Sequence, residues 1–207
     1  MQVLFINGSP KKEGTTFTAL TEVANELCKQ DIDTVFYHLG TQAIHGCTAC
    51  DKCKVTGLCV FDDDGVNECV NLLKESDGLV IGTPVYYAGP NGALCALLDR
   101  MFYGKSSHYA YKPAAAIANC RRGGASASFD RLNKYFTISN MPVVSSQYWN
   151  MTHGVTPEQI RHDKEGLQTM RTLGRNMAWL LRCIEYSRGH IQLPETEERT
   201  QTNFIRT

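Results

Sequence analysis

The chain has 207 residues, enough for one well-buried α/β core and short for two. Its 21 Lys and Arg balance 21 Asp and Glu, and no basic run exceeds two residues, which argues against nucleic acid as the main partner. No apolar stretch approaches the roughly 20 residues of a membrane span, and the N-terminus reads as strand and loop rather than cleavable leader, so no membrane partner and a cytoplasmic location are expected.

The apolar run Val3–Ile6 predicts strand one. It leads into Asn7-Gly8-Ser9-Pro10-Lys11-Lys12-Glu13-Gly14-Thr15-Thr16 and then a helical pattern from about Thr15 to Lys29. Ser9, Thr15 and Thr16 offer hydroxyls there, Gly8 and Gly14 let the backbone come close, and the unpaired N–H groups of the helix start point at the loop. That combination suits a phosphate monoester, although Ser and Thr acting as ordinary helix caps would read similarly. The Gly-x-Gly-x-x-Gly and Gly-Lys-Ser/Thr patterns of the two common nucleotide loops are both absent.

Asp33–Leu39 reads as strand two. Residues Gly40–Asp64 show neither strand nor helix period and hold four cysteines, an excursion before a helix from about Gly65 to Ser76. Gly78–Thr83 is a wholly apolar third strand, of the kind buried on both faces of a parallel sheet, ending in the loop Pro84–Pro90. A helix over about Asn91–Phe102 follows, then strand four at Lys112–Ala118, the loop Asn119–Gly124, a helix over about Ala125–Ile138 and strand five at Met141–Ser145. Thr156 as cap and Pro157 at the first position start one long helix running to about Tyr186, and residues 1–193 form one domain with a tail at 194–207. Five strands with helical crossovers predict an α/β fold, a doubly wound parallel sheet of order 2-1-3-4-5 with helices on both faces. Its switch point lies between strands one and three, so the loops after strands one, three and four should converge on one crevice.

Four motifs then combine: Gly8-Ser9-Pro10 with Gly14-Thr15-Thr16; Cys47-x-x-Cys50-x-x-Cys53 with Cys59 and Asp62-Asp63; Thr83-Pro84-Val85-Tyr86; and Leu98-Asp99-Arg100. With them the chain resembles the NADPH-dependent FMN reductase and iron-sulfur flavoprotein branch of the flavodoxin-like superfamily. The resemblance implies that Ser9, Lys11, Gly14, Thr15 and Thr16 hold the FMN phosphate, and that Pro84, Val85, Tyr86 and Tyr87 line the isoalloxazine. It also implies that the loop carrying Asn119, Arg121, Arg122 and Gly123 covers the other edge, and that the protein is a homodimer or homotetramer. Physically, N–H groups after Pro84 can bond the flavin pyrimidine edge, where negative charge appears on reduction, and Arg121 and Arg122 would favour an anionic reduced flavin. Ordinary strand-end packing for the tyrosines and a solvated loop for the arginines are the alternatives. Asp99 and Arg100 read as a structural ion pair at a helix end or a dimer contact.

Cys47, Cys50, Cys53 and Cys59 follow a C-x2-C-x2-C-x5-C spacing, which suits a [4Fe–4S] centre although the last interval departs from the bacterial ferredoxin run. Zinc on four thiolates, or free thiols without metal, are alternatives. Cys28, Cys69, Cys95 and Cys183 fall on predicted helices as small core residues. The function expected is an FMN-dependent NAD(P)H oxidoreductase passing electrons to a quinone, a flavin or another small acceptor, directly or via the cluster. The alternative is an iron-sulfur flavoprotein carrying electrons between protein partners without an NAD(P)H site. No side chain is assigned as catalytic, since the cofactor supplies the chemistry.

Overall fold

The computed structural model describes residues 1–104, 106–198, 200–202 and 204–205. Its sheet contains β1 (Gln2–Asn7), β2 (Asp33–His38), β3 (Gly78–Tyr86), β4 (Gly89–Pro90), β5 (Ala114–Cys120) and β6 (Met151–His153). Strands β2-β1-β3-β5-β6 are parallel in that order, and β4 folds back antiparallel on the end of β3. The helices are α1 (Thr15–Cys28), α2 (Lys52–Thr56), α3 (Val66–Glu75), α4 (Gly92–Tyr103), α5 (Ala125–Ile138), α6 (Pro157–His162) and α7 (Lys164–Ser187).

Alternation along the strands sorts the core into two layers. Leu4, Ile6, Leu79, Ile81, Ala114 and Ala116 face α3, α4 and α5, where Leu73, Leu97, Met101 and Phe136 are buried against them. Val3, Phe5, Val80, Ala115 and Ile117 face α1 and α7, meeting Leu20, Val23, Leu27, Leu173 and Met177. Both faces of β1, β3 and β5 are therefore covered, which is why those strands read as unbroken apolar runs. The central parallel sheet with helices on both faces is the α/β flavodoxin-like arrangement expected.

The expected count of five strands is corrected to six, because β3 continues through Tyr86 into the β4 hairpin. The expected fifth strand also moves. Met141–Ser145 runs beside β5 with only two backbone bonds, Ala114 N to Pro142 O and Val144 N to Ala114 O, both 2.9 Å. The chain then leaves the sheet; Ser146 Oγ lies 2.7 Å from Asn150 Oδ1, closing the excursion, and pairing resumes at Met151–His153. Pro142 has no N–H to extend a ladder, so this edge is built from two pieces.

Thr156 caps α6 by accepting from Gln159 N at 3.3 Å, with Pro157 in the first turn. The expected continuous helix to Tyr186 nevertheless breaks at Asp163, whose backbone leaves helical values (φ −76°, ψ 80°) and whose carboxylate accepts from Gly166 N at 2.9 Å to start α7. Of the four helical cysteines assigned to the core, Cys69 is buried and Cys95 half-buried, whereas Cys28 and Cys183 lie on outward faces and are exposed.

Candidate functional site

β1 delivers Asn7, fully buried, to its carboxyl end. Its Oδ1 accepts from Ser9 N at 3.1 Å, and its Nδ2 donates to Lys12 O at 3.0 Å while lying 3.2 Å from His38 Nδ1. Burial, and then the charge of Lys12, hold the His38 ring below its ordinary pKa, so the neutral ring can accept the second Asn7 N–H. Ser9 Oγ accepts from Lys11 N at 3.1 Å. The loop is thus shaped by its own side chains. Gly14 is the α1 cap, extended at φ −88° and ψ −167°, and supplies no side-chain cap, which leaves the first N–H groups of the helix for a ligand. Thr16 is fully buried and its Oγ1 has no partner. A buried unpaired hydroxyl costs about 1–3 kcal/mol, which a ligand oxygen at this place would recover.

The first and third loops form one bonded unit. Gly8 N donates to Gly82 O at 2.8 Å, Asn91 Nδ2 donates to Gly8 O at 2.9 Å, and Asn91 N donates to Thr83 Oγ1 at 3.0 Å. Asn91 also caps α4, its Oδ1 accepting from Ala93 N at 2.8 Å. At Gly82 a Cβ would come within 2.8 Å of Leu20 Cγ and Thr16 Cγ2, so the close approach of α1 to β3 requires glycine.

Between β3 and β4 the chain turns through Tyr87 (φ 50°) and Ala88 (φ 59°), both left-handed. A two-residue turn of that hand ordinarily uses Asn-Gly, and each side chain there costs about 1–2 kcal/mol. Tyr86 is 48% exposed and Tyr87 wholly so. Gly124, at φ +90°, seats the loop after β5 against this turn; a Cβ there would fall 2.6 Å from Ala88 Cα and 3.0 Å from Val85 Cγ1. The loops after β1, β3 and β5 are therefore mutually packed, as the strand order led one to expect.

The cysteine segment lies on the side of α4. Cys47 and Cys50 are exposed, Cys53 and Cys59 half-buried, and all four line one small hollow together with Arg100 and Tyr103. Burial pushes the Cys53 thiol up, and the neighbouring Cys59, Cys47 and Cys50 add to that. Among the described residues no three His, Cys, Asp or Glu side chains are gathered as around one metal ion. Four thiols beside one hollow are the donor type that an iron–sulfur cluster would take.

Cys59 is the best held of the four. Asn67 on α3 accepts from its N–H at 2.7 Å and donates to its carbonyl at 3.0 Å. Arg100 Nε donates to its Sγ at 3.1 Å. Arg100 and Asp64 are both buried and bonded to each other, and the other guanidinium nitrogen reaches Phe61 O at 3.0 Å. Burial opposes both charges, yet their mutual bond keeps the Asp64 carboxyl below and the Arg100 guanidinium above their ordinary values. Tyr103 donates to Asp51 Oδ1 at 3.0 Å, and Gly104 stands against Cys53, so the last turn of α4 carries the segment.

Several expectations shift in detail. Asn119 is buried and its amide is engaged with Thr152 O and Oγ1 at 3.2 and 3.1 Å, tying β5 to β6. Lys11, Arg121, Arg122 and Gly123 are exposed, Thr15 is half-buried at the start of α1, and Pro84 and Val85 are half-buried in the hairpin. Asp99 and Arg100 do not pair with each other: Asp99 bonds Arg131 and Tyr135 on α5, while Arg100 turns inward to Asp64. Asp62 and Asp63 carry the sequence resemblance, but Asp64 is the buried carboxylate. Asn7, Asn91, Asp64 and Asn67 were not singled out from the sequence. An asparagine ending an apolar strand and another just before a helix are the signals that mark the first two.

The sequence model of the family described as NADPH-dependent FMN reductase matches residues 1–156. An iron-sulfur flavoprotein of Methanocaldococcus jannaschii is 32% identical, covering 89% of this chain and 100% of its own. Another, from Methanosarcina thermophila, is 27% identical over 91% of this chain and 99% of its own. Among solved structures, RosB with a bound 8-demethyl-8-formylriboflavin-5'-phosphate intermediate superposes with a TM-score of 0.69 at 15% identity, covering 100% of this chain and 94% of that one, a likeness of fold. Among the described residues no helix is long and apolar enough to cross a membrane. The chain belongs to the NADPH-dependent FMN reductase family.

Proposed function

We propose that residues 1–193 form one FMN-binding domain of an NAD(P)H-dependent flavin oxidoreductase that delivers electrons to a quinone, a flavin or another small acceptor. The observation that carries the flavin reading is the buried, unpartnered Thr16 Oγ1 inside a loop already shaped by Asn7 and Ser9. There Ser9, Thr15, Thr16 and the free N–H groups after Gly14 would bind the phosphate, with Lys11 adding charge from solvent. Bound FMN would supply hydride acceptance and release of one or two electrons. The chain's own part is to hold it: the backbone of Pro84–Tyr87 orients the pyrimidine edge, Tyr86 or Tyr87 covers a ring face, and Arg121 and Arg122 offset negative charge at the open side.

Cys47, Cys50, Cys53 and Cys59 would ligate a [4Fe–4S] cluster, supported by their shared hollow and by the iron-sulfur flavoproteins that the chain resembles over most of its length. The exposure of Cys47 and Cys50 favours a second reading, a carrier whose cluster meets protein redox partners directly at the surface. A homodimer or homotetramer in the cytoplasm is part of the first reading, with exposed Tyr148 and Trp149 as contact candidates.

Anaerobic purification followed by a visible spectrum, with iron and acid-labile sulfide assayed on the same sample, tests this. Flavin absorbance on a broad cluster background, bleached by NADPH, is the expected result. Bleaching by a partner protein but not by NADPH selects the carrier, and a colourless protein overturns both. Thr16→Val should weaken FMN binding about tenfold, since roughly 1.4 kcal/mol is lost with one hydrogen bond, while leaving the apoprotein no less stable.

A further inference from the structure

Of the four clustered cysteines, Cys59 is the one whose sulfur accepts a bond from a buried cation. Arg100 reaches it from α4 with Nε at 3.1 Å, while Nη1 is held by Asp64 and by His45 O at 3.2 Å and Nη2 by Phe61 O at 3.0 Å. The guanidinium plane is also fixed against the Phe61 ring, 5.3 Å from its centroid. Arg100 is 3% exposed. A surface arginine would point into water and be screened by salt; this one is held rigidly with its Nε–H directed at a sulfur.

The same helix reaches the other site. Its cap, Asn91, bonds Gly8 O in the phosphate loop and meets Thr83 Oγ1 at the start of the hairpin loop. From Asn91 to Arg100 is nine residues, about 13 Å along a helix, so α4 spans the two sites as one rigid strut.

We propose that Arg100 is a positioning residue that sets the reduction potential of a cluster bound by Cys47, Cys50, Cys53 and Cys59, with Asp64 as its counterweight. This rests on the cluster reading above. One-electron reduction places an extra negative charge on the centre and its sulfurs, and a hydrogen bond to a ligand sulfur favours the reduced form. The Arg100 N–H therefore raises the potential, and the Asp64 carboxylate, whose charge lies beyond the guanidinium, lowers it. The two effects have opposite sign, which a purely structural ion pair would not produce.

The test is a redox titration of the anaerobically purified full-length protein, followed by cluster and flavin absorbance, with iron and sulfide measured on every sample. Arg100→Lys keeps the charge opposite Asp64 but cannot also reach Cys59 with the same planar fork. It is expected to favour the oxidised form about tenfold, a fall of about 59 mV for one electron, with the flavin potential unmoved. Asp64→Asn should shift the cluster potential upward. Unchanged cluster potentials in both variants, or shifts of the same sign, overturn the proposal while leaving the cluster reading intact. Loss of iron from both variants when the unaltered protein is loaded also overturns it, in favour of a merely structural ion pair. Absence of iron from the unaltered protein means that the cluster reading itself has failed.

Discussion

The loop after β1 and the cysteine segment are both irregular stretches that would hold a cofactor, and they are built in opposite ways. The first is ordered from within: Asn7 bonds both Ser9 and Lys12, Ser9 bonds Lys11, and the only buried hydroxyl there lacking a partner is that of Thr16. The second has mostly exposed residues from 41 to 56 and is pinned from outside, by Arg100 and Tyr103 of α4 and by Asn67 of α3. A phosphate needs a cradle of fixed N–H and O–H groups, which costs little if the loop folds with the sheet. A segment that wraps four thiols around a cluster has too little apolar surface to fold alone, and depends on its pins and on what it binds.

Removing a pin should separate the two regions most sharply. Arg100→Met leaves Asp64 buried without its counter-charge, at a cost of about 3–5 kcal/mol. Trypsin should then cut first at Lys52 or Lys54, with FMN binding by the core retained; cleavage spread evenly over the chain would show that the segment and the sheet unfold as one.

A smaller effect is expected inside the loop after β1. Asn7→Ala strips partners from Ser9 N and Lys12 O, worth about 1–3 kcal/mol, and should weaken FMN roughly 10- to 100-fold in a fluorescence titration. Iron content should not change, since Asn7 makes no bond to the cysteine segment.

Next comes the hairpin. Replacing Tyr87 by Asn together with Ala88 by Gly puts residues that tolerate left-handed backbone at both positions, and should stabilise the apoprotein by about 1–2 kcal/mol in thermal unfolding. A loss of flavin affinity in the same variant would mark the strain as part of the binding site.

The smallest effect is in pH. The folded-state pKa of His38 lies below the ordinary 6.5, chiefly through burial. Between the two values the unfolded chain binds more protons than the folded one, so stability rises with pH there. The contribution is complete above about pH 6.5 and fades as pH falls through the lower folded value. His38→Gln, which retains an acceptor for Asn7, should flatten that slope in urea titrations from pH 5 to 7.

Much of the fold is legible without coordinates because a parallel sheet buried on both faces writes itself as apolar runs, and β1, β3 and β5 are all of that kind. What escapes are features with no apolar period. The β4 hairpin turns through Tyr-Ala rather than a glycine pair, the outer edge is split between Val143 and Met151, and Asp163 interrupts a pattern that otherwise reads as one helix. The loop after β1 stands out in the sequence by its hydroxyls, yet Asn7 does not, since its amide bonds backbone five residues away.

The sequence by itself determined the doubly wound sheet, the convergence of three loops at the strand switch and the spacing of the four cysteines, because local periodicity and chain order control all three. Only the tertiary structure decided which charges meet. Asp99 and Arg100 are neighbours in sequence but lie on different faces of α4, so one turns to Arg131 and the other to Asp64 and Cys59. Helical geometry sends adjacent side chains about 100° apart, and what each finds there depends on segments as many as 55 residues away.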